Sequence, residues 1–478
     1  MDAEPPLEPD AVPERRPLPE RRYTGRVVVV LADRVPLDDT GDLVEHGERN
    51  GDLLGPLVGY LRANGVRTHR LVTGVALADL LRAEEEARDS PFPPLQSLAR
   101  YWVVEAEGSG KGPQEVAREL QGLEEGREPA SRGVAQAYAE TVVGDPRTAA
   151  VAPLTASTGQ GWLAPRPRGV DAFHAWEQPG GRGEGVRVVD VEQGWELAHP
   201  DIDGMVGPPL VGVNRFTLDP AEGSHGTSVL GLVAGRVNGR GGSGLAGALA
   251  EVAVCSHFDG QTDGDVVNAV LVAREHLSPG DVLLLEVDRP GDGYLCVETD
   301  DAVYAAVRLA SAKGIVVVEA AGNGAEDLSA WTGPTGRRLS RDDRDLDSGA
   351  ILVGAAHGEV VTDPAGPVEG HRWNAGALSN YGVRVDCYCW GGSVVAPLAV
   401  GYGAFGGTSA AAAIVAGVAA VVQGMQRAAG GPPLGPLDVR ALLAHPGGTP
   451  QVPVASSFRI GRMPDLALIA GMLPVLSS

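Results

Sequence analysis

Lysine is nearly absent from this chain. Among 478 residues it occurs only at Lys111 and Lys313, so almost all positive charge is arginine, which reads as a GC-rich coding bias and not as a phosphate-binding surface. Lys and Arg together number 39 against 62 Asp and Glu, and the resulting net charge of -23 argues against nucleic acid and anionic membranes as partners. Cysteine is scarce too: Cys255, Cys296, Cys387 and Cys389 are the whole set. Cys387-x-Cys389 has no second pair at ligand spacing, which excludes a zinc box and leaves no metal site. One or two disulfides and buried free thiols both remain open. No uninterrupted apolar run reaches the roughly 18 residues of a membrane span. The stretch Ala410 to Met425 comes nearest, so a soluble protein is expected. The N-terminus, MDAEPPLEPDAVPERRPLPERR, lacks an apolar segment after its basic residues, so it does not read as a secretory signal. That points to the cytoplasm, with export by another route left open.

Two acid- or glycine-rich segments also lack what a cofactor site needs. EAEGSGKGP at 105–113 has neither the upstream Gly nor the Ser/Thr of a phosphate-binding loop. SRDDRDLDSG at 340–349 lacks the ordered ligand spacing of a calcium loop and reads as a solvated acidic loop. No cofactor is required, and a structural calcium ion has no motif behind it.

What is present is length, glycine and alternation. The chain exceeds what one ordinary core supports, so two domains are expected. Residues 1–22 read as a Pro- and charge-rich disordered tail. From 23 to 143, strand-like runs (GRVVVVLAD, VRTHRLV, LARYWVVEAE, VAQAYAETVV) alternate with helix-like ones (LLGPLVGYLRANG, ALADLLRAEEEARD, GPQEVARELQGLEE). This predicts a small α+β domain close to the split βαβ, ferredoxin-like plan. Residues 144–168 have no periodicity and read as a linker. From 169 to 478 the strands GVRVVDV, EVAVCS, DVLLLEV, GIVVVEAA and GAILVGAA are near-continuous apolar runs with helices between them. Such strands are buried on both faces of a mostly parallel sheet, which predicts a three-layer α/β/α domain.

Four segments of the second domain carry reactive or hydrogen-bonding side chains. Asp190 stands at the end of the strand VRVVDV, and His225 opens the run HGTSVLGLVAG. Asn323 follows a strand in EAAGNG, and Ser409 opens the Ala-rich run GTSAAAAIVAG. A serine hydroxyl needs an adjacent base, histidine serves near neutral pH, and a buried carboxylate fixes the imidazole tautomer. A helix N-terminus and an amide N–H₂ are suitable donors to a developing oxyanion. Singly, each residue could be a turn former, a core histidine or a helix cap.

Together, in this order, the motifs resemble the subtilisin-like serine proteases, from residue 169 to about 445. HPDI at 199–202 and ALSNYG at 377–382 are weaker landmarks. The resemblance implies that Asp190 orients His225, that His225 is general base and acid, that Ser409 attacks the scissile carbonyl and that Asn323 binds the oxyanion. It implies a peptide or protein substrate and a self-inhibiting precursor, with the N-terminal domain as a propeptide-like inhibitor and cleavage in or near 144–168. A peptide-maturation protease or transpeptidase, resolving the acyl-enzyme with an amine, is one alternative. A pseudoprotease that only binds peptides is another.

Three departures from the family pattern stand out. Asp190 is followed by Val191-Glu192-Gln193-Gly194 where the family has Ser or Thr and then Gly, and Glu192 reads as an extra acid, solvated or bracing the loop. The Ser-x-Gly strand that usually lines the primary pocket is replaced by LLLEVDRPGDG. Glu286 or Asp288 would then make that pocket acidic and favour a basic or polar P1 residue, or else form a structural ion pair with an arginine; Gly322 is a further candidate for substrate binding. Ala413 takes the place of a proline after the serine.

Overall fold

The computed structural model describes residues 22–143, 160–219, 224–261, 264–289, 292–357, 371–372, 379–392, 394–451 and 458–476. The expected N-terminal tail, apart from Arg22, and residues 144–159 of the expected linker lie outside the described residues.

The first domain runs β1 (Tyr23–Leu31), α1 (Leu43–Arg49), α2 (Gly51–Asn64), β2 (Thr68–Arg70), α3 (Leu77–Ala87), β3 (Tyr101–Glu105), α4 (Pro113–Gly122) and β4 (Val134–Thr141). Its antiparallel sheet has the order β2-β3-β1-β4, the split βαβ arrangement. Side chains on a strand alternate between faces. Val27, Val29 and Leu31 of β1 therefore meet Leu54, Leu57 and Leu120 in the domain's own core. Val28 and Val30 instead join a second core with Val266, Val270, Val303 and Val307 of the next domain. From Val27 to Leu31, β1 is apolar because both its faces are buried there.

The second domain begins with α5 (Ala172–Trp176), β5 (Arg187–Glu192), α6 (Ser224–Ala234), β6 (Glu251–Ser256), α7 (Val266–His276), β7 (Val282–Leu285) and a hairpin of β8 (Asp288–Arg289) and β9 (Leu295–Cys296). It continues with α8 (Asp301–Ala312), β10 (Val316–Ala320), β11 (Ile351–His357), β12 (His371–Arg372), β13 (Cys387–Trp390), β14 (Val394–Pro397), β15 (Tyr402–Phe405) and α9 (Gly407–Ala428). It ends with α10 (Pro436–Leu443), β16 (Thr449–Pro450), β17 (Arg462–Met463) and α11 (Leu466–Leu476). The main sheet has the order β16-β17-β13-β11-β10-β7-β5-β6, with β12 attached to β11. Its pairs are parallel except β16 with β17 and β11 with β12. Val188, Val254, Leu284 and Val318 face α6 and α9, while Val189, Cys255, Leu283 and Val317 face α7 and α8.

The helix α9 is long and apolar enough to cross a membrane by length and composition, yet its apolar window is wholly buried in the protein. A helix apolar all round belongs in a core. The four cysteines are buried free thiols, which settles the alternatives left by their spacing. Burial raises the thiols of Cys255 and Cys389 to about 12, so neither is a thiolate at neutral pH.

The first domain sits on α7 and α8 through polar contacts as well as core. Asn268 Oδ1 accepts from the Thr73 and Gly74 amides at 2.8 and 2.7 Å, and its Nδ2 donates to Leu71 O at 3.0 Å. Arg308 donates to Pro93 O at 2.9 Å, and Arg344 donates to Ser90 O at 2.6 Å.

Candidate active site

Asp190 and Glu192 lie two residues apart on β5, so their side chains leave the same face, toward α6 and α9. Both are fully buried. The structure corrects the sequence reading of which one meets the histidine. Glu192 Oε1 lies 2.7 Å from His225 Nδ1. Asp190, expected there, sits one pleat deeper, about 7 Å back along the strand, and its Oδ2 accepts from Trp195 Nε1 at 2.8 Å. Glu192 is the last residue of β5, so it is the acid at the strand's carboxyl end, where open α/β sheets place their sites. A signal for this was in the sequence: Glu192-Gln193-Gly194 keeps the carboxylate-x-Gly spacing, and Asp190-Val191-Glu192 does not.

His225 is held by the first turn of α6. Gly226 is needed beside it, because a Cβ there would fall 2.5 Å from Trp195 Cδ1 and 2.6 Å from Gly194 O. The glycine lets the turn after β5 lie against the helix, which brings Glu192 to the imidazole. Thr227 Oγ1 accepts from the Glu196 amide at 2.8 Å, and Ser228 Oγ donates to Pro397 O at 2.5 Å, so the turn is tied on both sides. The imidazole also meets Phe405 edge-on, with ring centroids 5.1 Å apart.

Phe405 ends β15, and after Gly406 the chain enters α9. Gly407 has φ +78, a left-handed conformation that a side chain resists. Ser409 follows in the first turn, fully buried. Amides of a helix's first turn have no intrahelical partner, so this turn offers donors to an anion. Asn323 is locked to the same turn: its Oδ1 accepts from the Thr408 amide at 3.0 Å, while Thr408 Oγ1 accepts from the Gly322 amide at 3.2 Å. With its oxygen so engaged, the amide orientation is fixed and Nδ2 is left to donate elsewhere. Asn323 Nδ2 and Ser409 Oγ are both buried without a hydrogen-bond partner among the described residues.

Glu286 and Asp288 do not line an open acidic pocket. Both are fully buried, the first at the end of β7 and the second in the β8–β9 hairpin. Gly322 lies with φ +90 against that hairpin. Among the described residues, no group of three or more His, Cys, Asp or Glu could hold a metal ion.

The sequence profile described as the subtilase family matches residues 184–453, more than half of the chain. The chain belongs to the subtilase family. Its enzyme class is that of the subtilisin-like serine proteases. An intracellular serine protease of Paenibacillus polymyxa is 27% identical over 278 residues, covering 55% of this subtilase and 74% of the relative. A thermophilic serine proteinase of Bacillus sp. (strain AK1) is 28% identical over 269 residues, covering 55% of this chain and 57% of that one. In three dimensions the subtilase is similar to fervidolysin from Fervidobacterium pennivorans, with a TM-score of 0.56 at 16% identity, over 94% of this chain and 61% of fervidolysin. That likeness shows the fold, and it extends across both domains.

Proposed function

We propose that this subtilase is an endopeptidase that works through an acyl-enzyme on Ser409, with a Glu192-His225-Ser409 triad. The observation that carries the reading is the 2.7 Å contact between Glu192 and His225 Nδ1 beside the helix start that bears Ser409. Glu192 holds the imidazole with its proton on Nδ1, which leaves Nε2 as the base. As Ser409 Oγ bonds to the scissile carbon, its proton passes to Nε2 and the carbonyl electrons move onto the oxygen. The amide N–H₂ of Asn323 and the first-turn amide of Ser409 then donate to that oxyanion. Collapse breaks the C–N bond, with the proton passing from His225 to the leaving amine. Water repeats the sequence and releases Ser409. This chemistry uses side chains and backbone alone.

The N-terminal domain acts in this proposal as an inhibitor within a precursor, cleaved in or near 144–168. Its support is the interface on α7 and α8 and the two-domain likeness to fervidolysin. We place the action on peptides or proteins in the cytoplasm, in line with the name of the Paenibacillus relative. Product masses test the reading. Fragments whose masses sum to the substrate plus one water, absent with Ser409→Ala, are expected. A peptide bound but unchanged contradicts hydrolysis, and products joined to an added amine show transfer instead.

A further inference from the structure

β7 and β10 are neighbours in the sheet, paired from Val282 with Val316 to Leu285 with Glu319. Beyond that point they part. The Glu286 amide bonds to Val191 O at 3.3 Å, following β5, while the Ala321 amide bonds to Val353 O at 3.0 Å, following β11. Parting strands open a crevice at the carboxyl end of a parallel sheet. Here the crevice runs between Glu286-Val287-Asp288 and Ala320-Ala321-Gly322, immediately before Asn323. A substrate whose carbonyl oxygen meets Asn323 would direct its P1 side chain into this space.

The protein fills the space with its own backbone. β9 returns along the Gly322 wall so closely that a Cβ on Gly322 would collide with the Tyr294 carbonyl oxygen, and one on Gly324 with that of Gly293. Leu295 and Cys296 join the core with Leu284, Val318, Ala320 and Ala321. The segment is held from several sides. Asn380 Nδ2 donates to both Tyr294 O and Ala321 O, at 2.9 and 2.7 Å, bridging the hairpin to the strand end. At its base, Glu298 forms a fully buried ion pair with Arg384 at 2.9 Å. On its outer face, Arg289 Nε donates to Thr141 Oγ1 of the N-terminal domain at 3.1 Å, and that hydroxyl donates to Asp292 at 3.2 Å. Tyr294 has φ +59, a conformation that a non-glycine residue keeps only where its surroundings impose it. A cavity of about 370 Å³ lies on the hairpin's outer side, lined by Tyr138, Thr141, Arg289, Asp292 and Trp331.

We propose that the β8–β9 hairpin occupies the P1 side-chain space, so that this subtilase cleaves after glycine. The inference rests on the endopeptidase reading and adds its substrate class: peptides or proteins with glycine at P1. A pocket closed by backbone and locked by buried hydrogen bonds discriminates by steric exclusion, and a bulky side chain would have to displace the hairpin. The hairpin then replaces the acidic-pocket expectation for Glu286 and Asp288, which it covers.

Two peptidyl diphenyl phosphonates differing only at P1, glycine against phenylalanine, test the proposal on the full chain by labelling rate. At least about 100-fold faster labelling by the glycine compound is expected, at the upper end of what steric pocket differences deliver. Rates within about threefold of each other, or a faster phenylalanine compound, overturn the inference and leave the peptidase reading standing. Labelling by neither compound, with no peptide hydrolysed, removes the peptidase reading and this inference with it. Replacing residues 289–295 by two glycines should raise the phenylalanine rate relative to glycine at least tenfold. An unchanged ratio in that variant, if folded, counts against the hairpin. If it does not fold, the comparison on the unaltered chain decides alone.

Discussion

Replacing Glu192 by glutamine keeps the size of the side chain and removes its charge. The carboxylate is fully buried and touches His225 Nδ1 at 2.7 Å, so it faces the imidazolium that forms in each transition state. At about 4 Å between charge centres and an effective dielectric of about 20, that attraction is roughly 4 kcal/mol, or about 10³ in rate. Loss of tautomer control adds to it, and neutralising a triad carboxylate elsewhere has cost about 10⁴ in kcat. Glu192→Gln should therefore lower kcat by about 10³–10⁴, with KM little changed. Asp190→Asn is the matched control. Its carboxylate starts one pleat, about 7 Å, further back along the strand, where the same arithmetic gives about 2.4 kcal/mol, so a loss of no more than about 50-fold is expected. Its bond to Trp195 Nε1 can persist through the amide oxygen. The assay is steady-state peptide hydrolysis, with circular dichroism melts to confirm that both variants fold. A loss in Asp190→Asn that equals or exceeds that of Glu192→Gln would refute the assignment of the acid.

Asn323→Ala should reduce kcat by about 10²–10³ at nearly constant KM, since its amide is proposed to act on charge that exists only in the transition state; a change confined to KM would contradict this. Burial raises Glu140 from 4.5 to about 7, with Thr24 and Arg26 opposing that rise and Asp265 and Asp300 across the interface adding to it. An acid whose folded value is raised stabilises most with its proton on, below about 4.5, and that stability is lost as pH rises through about 7. The melting temperature of the intact chain should accordingly fall between pH 5 and 7.5 relative to that of Glu140→Gln, and parallel pH profiles would contradict it. Arg384 pairs with both Glu298 and Asp386, at 2.9 and 2.7 Å, so Arg384→Ala leaves buried Glu298 with no cation and Asp386 with only the longer pair to Arg341 at 3.4 Å. A loss of about 3–5 kcal/mol in denaturant unfolding is expected, and less than about 1 kcal/mol would mean water reaches the network.

Much of the fold was legible because burial writes itself into residue order. β5, β7 and β10 are buried on both faces and β7 is wholly apolar, as strands covered by two helical layers are, and Gly65 with φ +62 ends α2 as its position suggested. The Ser409, His225 and Asn323 segments were legible because each needs small residues at fixed places: Gly226 against Trp195, Gly407 at φ +78, Gly322 at φ +90. Asp190 was expected against His225 where the structure has Glu192, because the two acids share a face and residue type favoured aspartate over position. Only the register of the strand end against α6 separates them. The hairpin was illegible for a different reason. LLLEVDRPGDG shows that the usual pocket strand is replaced, but its path across Gly322 depends on Asn380, Arg384 and Thr141, which are distant in sequence.

The central claim is that Ser409 is a nucleophile activated by the Glu192–His225 pair. Labelling with an active-site serine phosphonate bearing glycine at P1, followed by peptide mass mapping, tests it most directly. The account predicts one adduct, on the peptide that contains Ser409, absent in Ser409→Ala and slowed at least about 10³-fold in Glu192→Gln. No adduct on the unaltered protein, or an adduct that survives Ser409→Ala, would contradict it.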